Sequence, residues 1–481
     1  MTHPTIIQGG MGAGVSGWRL ARSVALEGQL GVVSGTAIAS IVVRVLQSGD
    51  PEGHIARAVT AFPLRAMAER VYAKYYKAGG VAEGEPFKRQ TMHTLKPSQE
   101  LMELTVFASF AEVYLAKEGH DGLVGMNLLE KIVLPNLPTI YGALLADVDY
   151  IIMGAGIPLE IPGSIDKLSQ HEACQLRVHV TGAEKGEEHF IHFDPKSVNP
   201  DAVAPLKRPK FLAIISSNVL ALALLKRANG YIDGFVVEAP TAGGHNAPPR
   251  GKLELNDRGE PIYGEKDEVD LPKLAELGRP FWLAGSHATP EKVRLAIEHG
   301  AAGIQAGTIF ALCEESGFTP EIRSRIIRAL LDNKLDVFTD PLASPTGFPF
   351  KVALLQGTLS HGPSYEARPR CCDLGFLRTA YKKADGKVDY RCPSEPVDQY
   401  LKKGGEESAT EGRKCLCNSL VANIGLPQHQ TSGYTEQPLI TIGDDVLNMK
   451  HLFQNEEKRI HSADVIHLLL SEVPGAALAH A

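Results

Sequence analysis

The chain has 481 residues, 44% hydrophobic and 22% charged, with a net charge of -7 and a pI near 6.2. That balance is typical of a globular protein with one large enzyme domain plus additions, or two to three domains. The acidic excess and the lack of a Lys/Arg-rich block exclude nucleic acid as a main partner. No apolar run reaches the roughly 18 residues of a membrane span. Residues 1–7 carry neither region of a signal peptide, so a cytoplasmic protein acting on a small molecule is expected.

Short β-branched runs ending near glycine recur in chain order, at 5–11, 30–36, 122–128, 150–156, 211–217, 234–239, 281–286 and 302–308. Helical patterns follow at 18–27, 138–146, 217–228, 290–299 and 320–333. Nearly continuous apolar strands alternating with helices imply a parallel sheet covered on both faces. Eight such units predict an α/β fold, a (β/α)8 TIM barrel spanning residues 1–340. An open doubly wound sheet would leave the count of eight unexplained.

Three insertions interrupt the pattern. Residues 38–120 read as helical around a glycine-containing middle at 79–84. Residues 158–209 read as a hairpin, 176–180 with 189–193, and 252–263 as a second one turning at Asp257-Arg258-Gly259. Beyond residue 340 the periodicity fades and Pro, Gly and Cys increase. This C-terminal extension, 341–481, is expected to pack on the barrel or on a neighbouring subunit of a homo-oligomer.

A barrel places its site at the carboxyl ends of the strands. Here those ends carry Gly9-Gly10-Met11, Asn127, Gly154, Ser216-Ser217, Gly243-Gly244-His245, Gly285-Ser286 and Gly307-Thr308. Gly285, Ser286, Gly307 and Thr308 end the last two strands, where many barrels hold a phosphate through backbone N–H groups; tight βα turns would explain the same glycines. Gln8–Ser16 looks like a Gly-rich dinucleotide fingerprint, but the next strand ends in Ser34-Gly35-Thr36 and lacks the acidic residue a Rossmann site needs.

Residues 6–36, the corner Glu238…Ala242-Gly243-Gly244-His245 and residues 300–316 resemble the nitronate monooxygenase (2-nitropropane dioxygenase) family, related to the FMN-dependent enoyl-acyl-carrier-protein reductases. The resemblance implies FMN at the barrel mouth, contacted by Gly10, Met11, Asn127, Gly243, Gly244, Gly285, Ser286, Gln305, Gly307 and Thr308. It makes His245 the catalytic residue, a neutral imidazole that draws a proton from carbon beside a nitro group or positions a nitronate. Two departures stand out: Pro240 and Thr241 lengthen the corner, and Ser286 replaces a glycine of the family. Ser216, Ser217 and His287 are expected to cap helices or support the site.

The implied reaction is oxidation of nitronates or nitroalkanes with O2 to a carbonyl compound and nitrite. The alternatives are an NAD(P)H-dependent enoyl-thioester or quinone reductase, and a non-enzymatic barrel binding a phosphorylated ligand. Five of the seven cysteines fall late, at Cys371, Cys372, Cys392, Cys415 and Cys417. Their spacing matches neither zinc ribbons nor ferredoxin runs. They read as reduced structural thiols, or as Zn or Fe-S ligands drawn from Cys372, Cys392, Cys415 and Cys417.

Overall fold

The computed structural model describes residues 3–474; residues 475–481 of the expected extension, and residues 1–2, lie outside the described residues. Eight strands form the central sheet: β1 (Ile6–Gln8), β2 (Gly31–Ser34), β3 (Val124–Leu129), β4 (Tyr150–Gly154), β5 (Lys210–Ile215), β6 (Gly234–Glu238), β7 (Phe281–Ala284) and β8 (Gly303–Ala306). All pair in parallel, in the order β1-β8-β7-β6-β5-β4-β3-β2. The seam closes between β2 and β1. Leu30 N–H donates to Ile6 O at 3.1 Å, Gln8 N–H donates to Leu30 O at 3.0 Å, and Val32 N–H donates to the Gln8 side chain at 3.0 Å. The sheet is a closed barrel, as expected.

The period-2 alternation of the strands sorts their side chains. Ile7, Val32, Tyr150, Ile152, Leu212, Val236 and Trp282 fill the barrel interior as one cluster. Their neighbours in sequence, among them Ile6, Val33, Ile151, Phe211, Phe235 and Ile304, face outward into the layer beneath the helices. This two-sided burial is why the strands are legible as apolar runs.

Two of the expected insertions contain part of the barrel itself. Helix Gln99–Lys117 packs on Trp18–Leu26 and Val133–Leu145 as the outer-layer helix between β2 and β3, so the added segment ends near residue 98. Ser98 starts this helix, its Oγ accepting from Leu101 N–H at 3.2 Å. Before it come helices Ile38–Gln47, His54–Ala61 and Arg65–Tyr75, then irregular backbone through 79–84. Within 158–209, helix Ile161–Ser169 packs on Val133–Leu145 and precedes the antiparallel hairpin Cys174–Val178 with His189–Phe193. The expected second hairpin at 252–263 shrinks to one bridge, Leu255 with Pro261, around a turn held by Asn256 Oδ1. Its residues are exposed almost throughout, so neither face has a core to pack on.

The extension packs back on the barrel of its own chain. Strand Val337–Asp340 pairs antiparallel with Phe350–Ala353, which in turn pairs with Gly244–His245. Val180–Thr181 pairs with Thr379–Lys382, tying the 158–209 region to the same extension. The last helix, Ser462–Leu470, returns to Trp18–Leu26 and Pro290–Glu298 on the outer layer. Among the described residues no helix is long and apolar enough to cross a membrane.

Candidate active site

A cavity, open at its mouth, lies over the carboxyl ends of the strands. His245 and all ten residues expected around a cofactor line it: Gly10, Met11, Asn127, Gly243, Gly244, Gly285, Ser286, Gln305, Gly307 and Thr308. The barrel brings them together because each ends a strand or begins the loop after it.

The loop after β1 is fixed from below. Ser16 Oγ donates to Gly9 O at 2.9 Å and accepts from Met11 N–H at 2.9 Å and from the Gln8 amide at 2.8 Å. Gly10 presses against β3, where a Cβ would stand 2.2 Å from the Asn127 Cβ; only glycine lets this loop reach the cavity floor. After β7, Gly285 and Ser286 both take left-handed backbone, with φ of 90° and 57°. Thr289 Oγ1 then caps helix Pro290–Glu298, whose first position is proline. Gln305 on β8 is a half-buried cavity residue whose Oε1 atom is buried and has no hydrogen-bond partner among the described residues.

Two of the three supporting residues, Ser217 and His287, behave as expected; Ser216 neither caps the helix nor lines the cavity. Ser217 Oγ caps helix Asn218–Arg227 by accepting from Leu220 N–H at 3.1 Å. His287 Nδ1 bonds Gly285 O at 2.7 Å, which holds the β7 turn.

The extension supplies the far wall, with Phe350, Leu420, Thr441, Ile442 and Asp445. Its segment 441–444 is strapped across the Gly-Gly-His corner. Gly244 N–H donates to Thr441 Oγ1 at 2.7 Å, Asp444 N–H donates to Thr241 O at 3.0 Å, and Gly443 N–H donates to Thr308 Oγ1 at 2.9 Å. The buried Lys351 ammonium binds the Asp444 carboxylate at 2.8 Å and anchors the strap. This changes the reason for two glycines. A Cβ on Gly243 would come within 2.9 Å of Gly443 N and Ile442 C, and Gly244 has φ of 86°. Both glycines admit the strap as well as bordering the cavity. The Thr308 hydroxyl, expected at a phosphate, is already turned to the strap.

Pro240 and Thr241 lie in the corner before His245. They are absorbed in a turn closed by Ala242 N–H donating to Ala239 O at 3.0 Å. The imidazole lines the cavity with Nε2 bonded to Ser344 Oγ at 2.7 Å, and Ser344 Oγ meets Thr346 Oγ1 at 2.8 Å. The Phe350 ring packs against it in a T-shaped arrangement, with ring centres 4.8 Å apart. Burial among these groups pushes the imidazole pKa down to about 4, so the ring is neutral.

Two acids also line the cavity, and the strand-end motifs gave neither a role. Glu238 ends β6 with no ion-pair partner among the described residues, and burial raises its carboxyl to about 8. Asp445, on the extension, is raised by burial to about 6 although the Thr308 side chain pulls it down. No Lys or Arg stands among the cavity-lining residues. Glu238 could have been found as the polar end of an otherwise apolar strand; Asp445 lies in irregular chain without such a signal.

The five late cysteines are all free and line a second, smaller cavity within the extension. Among the described residues no three His, Cys, Asp or Glu side chains are arranged to hold a metal ion, so the expected Zn or Fe-S site finds no support.

No protein-family model matches the chain. Over 130 residues, 27% of the chain, it is 32% identical to a probable nitronate monooxygenase of Bacillus subtilis (strain 168), and the match spans 35% of that relative's length. Three solved structures are similar over nearly the whole chain. They are FabK from Thermotoga maritima (15% identity, 98% of this chain and 93% of that one, TM-score 0.48), and nitroalkane oxidase from Streptomyces ansochromogenes (13%, 98% and 95%, 0.47). The third is the enoyl reductase domain of MlnA from Bacillus amyloliquefaciens (12%, 97% and 93%, 0.49). The resemblance to the nitronate monooxygenase family, read from strand-end motifs, is thus met by an aligned relative.

Proposed function

We propose that the protein is an FMN-dependent oxidoreductase that reduces an uncharged conjugated acceptor, an enoyl thioester or a quinone, with NAD(P)H as electron source. The cavity suits FMN. Gln305 Oε1 awaits a donor such as a ring N–H, while Gly10, Met11 and Asn127 border the ring-sized space from the β1 and β3 side. Gly243 and Gly244 border it from the corner. Gly285, Ser286, Gly307 and the start of helix Pro290–Glu298 would receive the phosphate, leaving Thr308 to the strap. When bound, FMN supplies the carrier of electrons between NAD(P)H and the acceptor.

The observation that carries the choice of acceptor is the cavity's charge. Its lining holds two acids, two histidines and no cation, so an anionic nitronate would enter without a counter-charge. A buried imidazole with a pKa of about 4 is also a weak base for drawing a proton from carbon. Glu238, raised to about 8, is instead an acid near neutrality. It holds the proton that must join a hydride to saturate a C=C bond, and solvent restores it afterwards. His245, held by Ser344, orients the acceptor by hydrogen bonding.

The second reading, oxidation of nitronates with O2 to carbonyl and nitrite, is favoured by the aligned relative. Anaerobic reduction separates the two. NADH or NADPH should bleach the bound flavin, and an enoyl thioester or quinone should restore its colour. Bleaching by propionate 3-nitronate, with none by either nicotinamide, would overturn the reductase reading.

A further inference from the structure

Glu238 belongs to two spaces. It lines the barrel cavity, and it also lines a separate small pocket together with Ser216, Ala247, Arg250, Tyr263 and Asp267. No other residue is shared between the two linings. Pro248 and Arg250, at the second pocket, are exposed, so it reaches the surface by its own route. Ser216, which has no part in the barrel cavity, finds its place here beside the acid.

Hydrogen bonds hold the walls. Arg250 Nη2 donates to Ser216 O at 3.3 Å, and Arg250 N–H donates to Asp267 Oδ1 at 2.8 Å. Asp267 Oδ2 accepts from Gly264 N–H at 2.9 Å. Tyr263 OH donates to Ala247 O at 3.0 Å, which leaves its oxygen able to accept from a second group. Burial first, then the Asp267 and Glu238 carboxylates, push this phenol up to about 12, so it stays a neutral hydroxyl. Five of the nine lining residues are polar or charged. An apolar void of this size would stay dry, whereas one with several polar partners and room for a single molecule takes a water.

The reduction proposed above draws one proton from Glu238 in each turnover and leaves a carboxylate. With cofactor and acceptor in place the barrel cavity is filled, and no Lys or Arg lines it to balance that charge. The returning proton needs another way in. We propose that the second pocket is a proton inlet, in which a water ordered by Ser216 and Tyr263 carries protons from bulk solvent to Glu238. In this step an O–H bond of the water breaks and an O–H bond to the carboxylate forms. Bulk solvent, past Arg250 and Asp267, replaces the proton, and no electron moves. Ser216 and Tyr263 act through the water and are positioning residues. The inlet rests on the reading of Glu238 as the acid of the reduction.

The test compares the first turnover with later ones in Ser216→Ala, Tyr263→Phe and Ala247→Leu, the last of which fills the pocket. Enzyme reduced beforehand starts with Glu238 protonated, so its first reoxidation by an enoyl thioester or a quinone should stay within about twofold of wild type. Steady-state turnover should fall by about tenfold or more, and imidazolium added as a small buffer acid should restore it in Ser216→Ala and Tyr263→Phe. Infrared spectroscopy gives a readout without turnover. With flavin and reduced product filling the barrel cavity, the C=O band of protonated Glu238, identified by its loss in Glu238→Gln, should shift at once in D2O in wild type and slowly in Ala247→Leu. Wild-type steady-state rates in all three variants would overturn the inlet, as would an equal loss in first and later turnovers that imidazolium does not restore. Glu238→Gln, measured alongside, separates the two levels. A first turnover as fast as wild type would remove the acid and the inlet together; a slow one, with fully active pocket variants, would remove the inlet alone. If Ala247→Leu does not fold, Ser216→Ala and Tyr263→Phe decide, since each loses a single oxygen atom.

Discussion

Replacing Glu238 by Gln removes a proton and leaves the shape of the side chain. In the wild-type protein burial holds this carboxyl at about 8 against an ordinary value of 4.5, so at pH 7 about nine molecules in ten carry the proton. A shift of this size corresponds to roughly 5 kcal/mol in favour of the neutral acid, an upper bound because the side chain keeps some contact with solvent. The amide of Glu238→Gln can still donate a hydrogen bond, but it cannot give up a proton. Turnover with the acceptor should fall by about 10²-fold or more at pH 7, as expected for loss of a general acid. The pH profile is the more specific readout. Wild-type turnover should decline on an alkaline limb near pH 8, and the Gln variant should lack that limb. Stopped-flow measurement of the step in which the acceptor reoxidises the flavin, from pH 6 to pH 9.5, would show both effects. A variant with more than half the wild-type rate and the same alkaline limb would refute the role given to Glu238.

Three further outcomes are expected. His245→Asn should keep its flavin, because the imidazole's hydrogen bond is to Ser344 of the far wall, and lose about 10²-fold in turnover; flavin content and steady-state rates check this. Gly243→Ala places a methyl group 2.9 Å from Gly443 N and Ile442 C, so the strap must shift, and the Tm should fall by an amount equivalent to about 1–3 kcal/mol. Asp445 has its folded pKa raised from 3.8 to about 6, so its contribution to stability is fully present below the lower value and is lost as pH rises through the upper one. Asp445→Asn should therefore raise the Tm at pH 8 and leave it nearly unchanged at pH 3.5, as thermal denaturation at the two pH values would show.

Much of the barrel is legible in the chain because its strands are buried on both faces and end in glycine. Ile6–Gln8 and Phe281–Ala284 read as strands for the same reason that they pack as strands. Helix Gln99–Lys117 falls in the stretch read as a helical insertion; buried on nearly every side, it lacks the one-faced polar stripe that would set it apart as a helix of the barrel's outer layer. The floor of the site follows from strand ends, where position alone places Gly10, Asn127 and Gln305. Its far wall does not. Thr441, Ile442 and Asp445 come from backbone without a repeating period, held by single hydrogen bonds to residues about 130 to 200 positions away, as Gly443 is to Thr308 and Gly244 to Thr441. The neutral state of Glu238 is likewise a product of tertiary burial, which no local pattern records.

The most direct measurement is the visible spectrum of the purified protein together with its flavin content per chain. A flavin band with about one FMN per chain, lost or weakened in Gln305→Leu, is the result expected if the strand-end cavity holds the cofactor. Colourless protein that gains no flavin spectrum when FMN is added would contradict it.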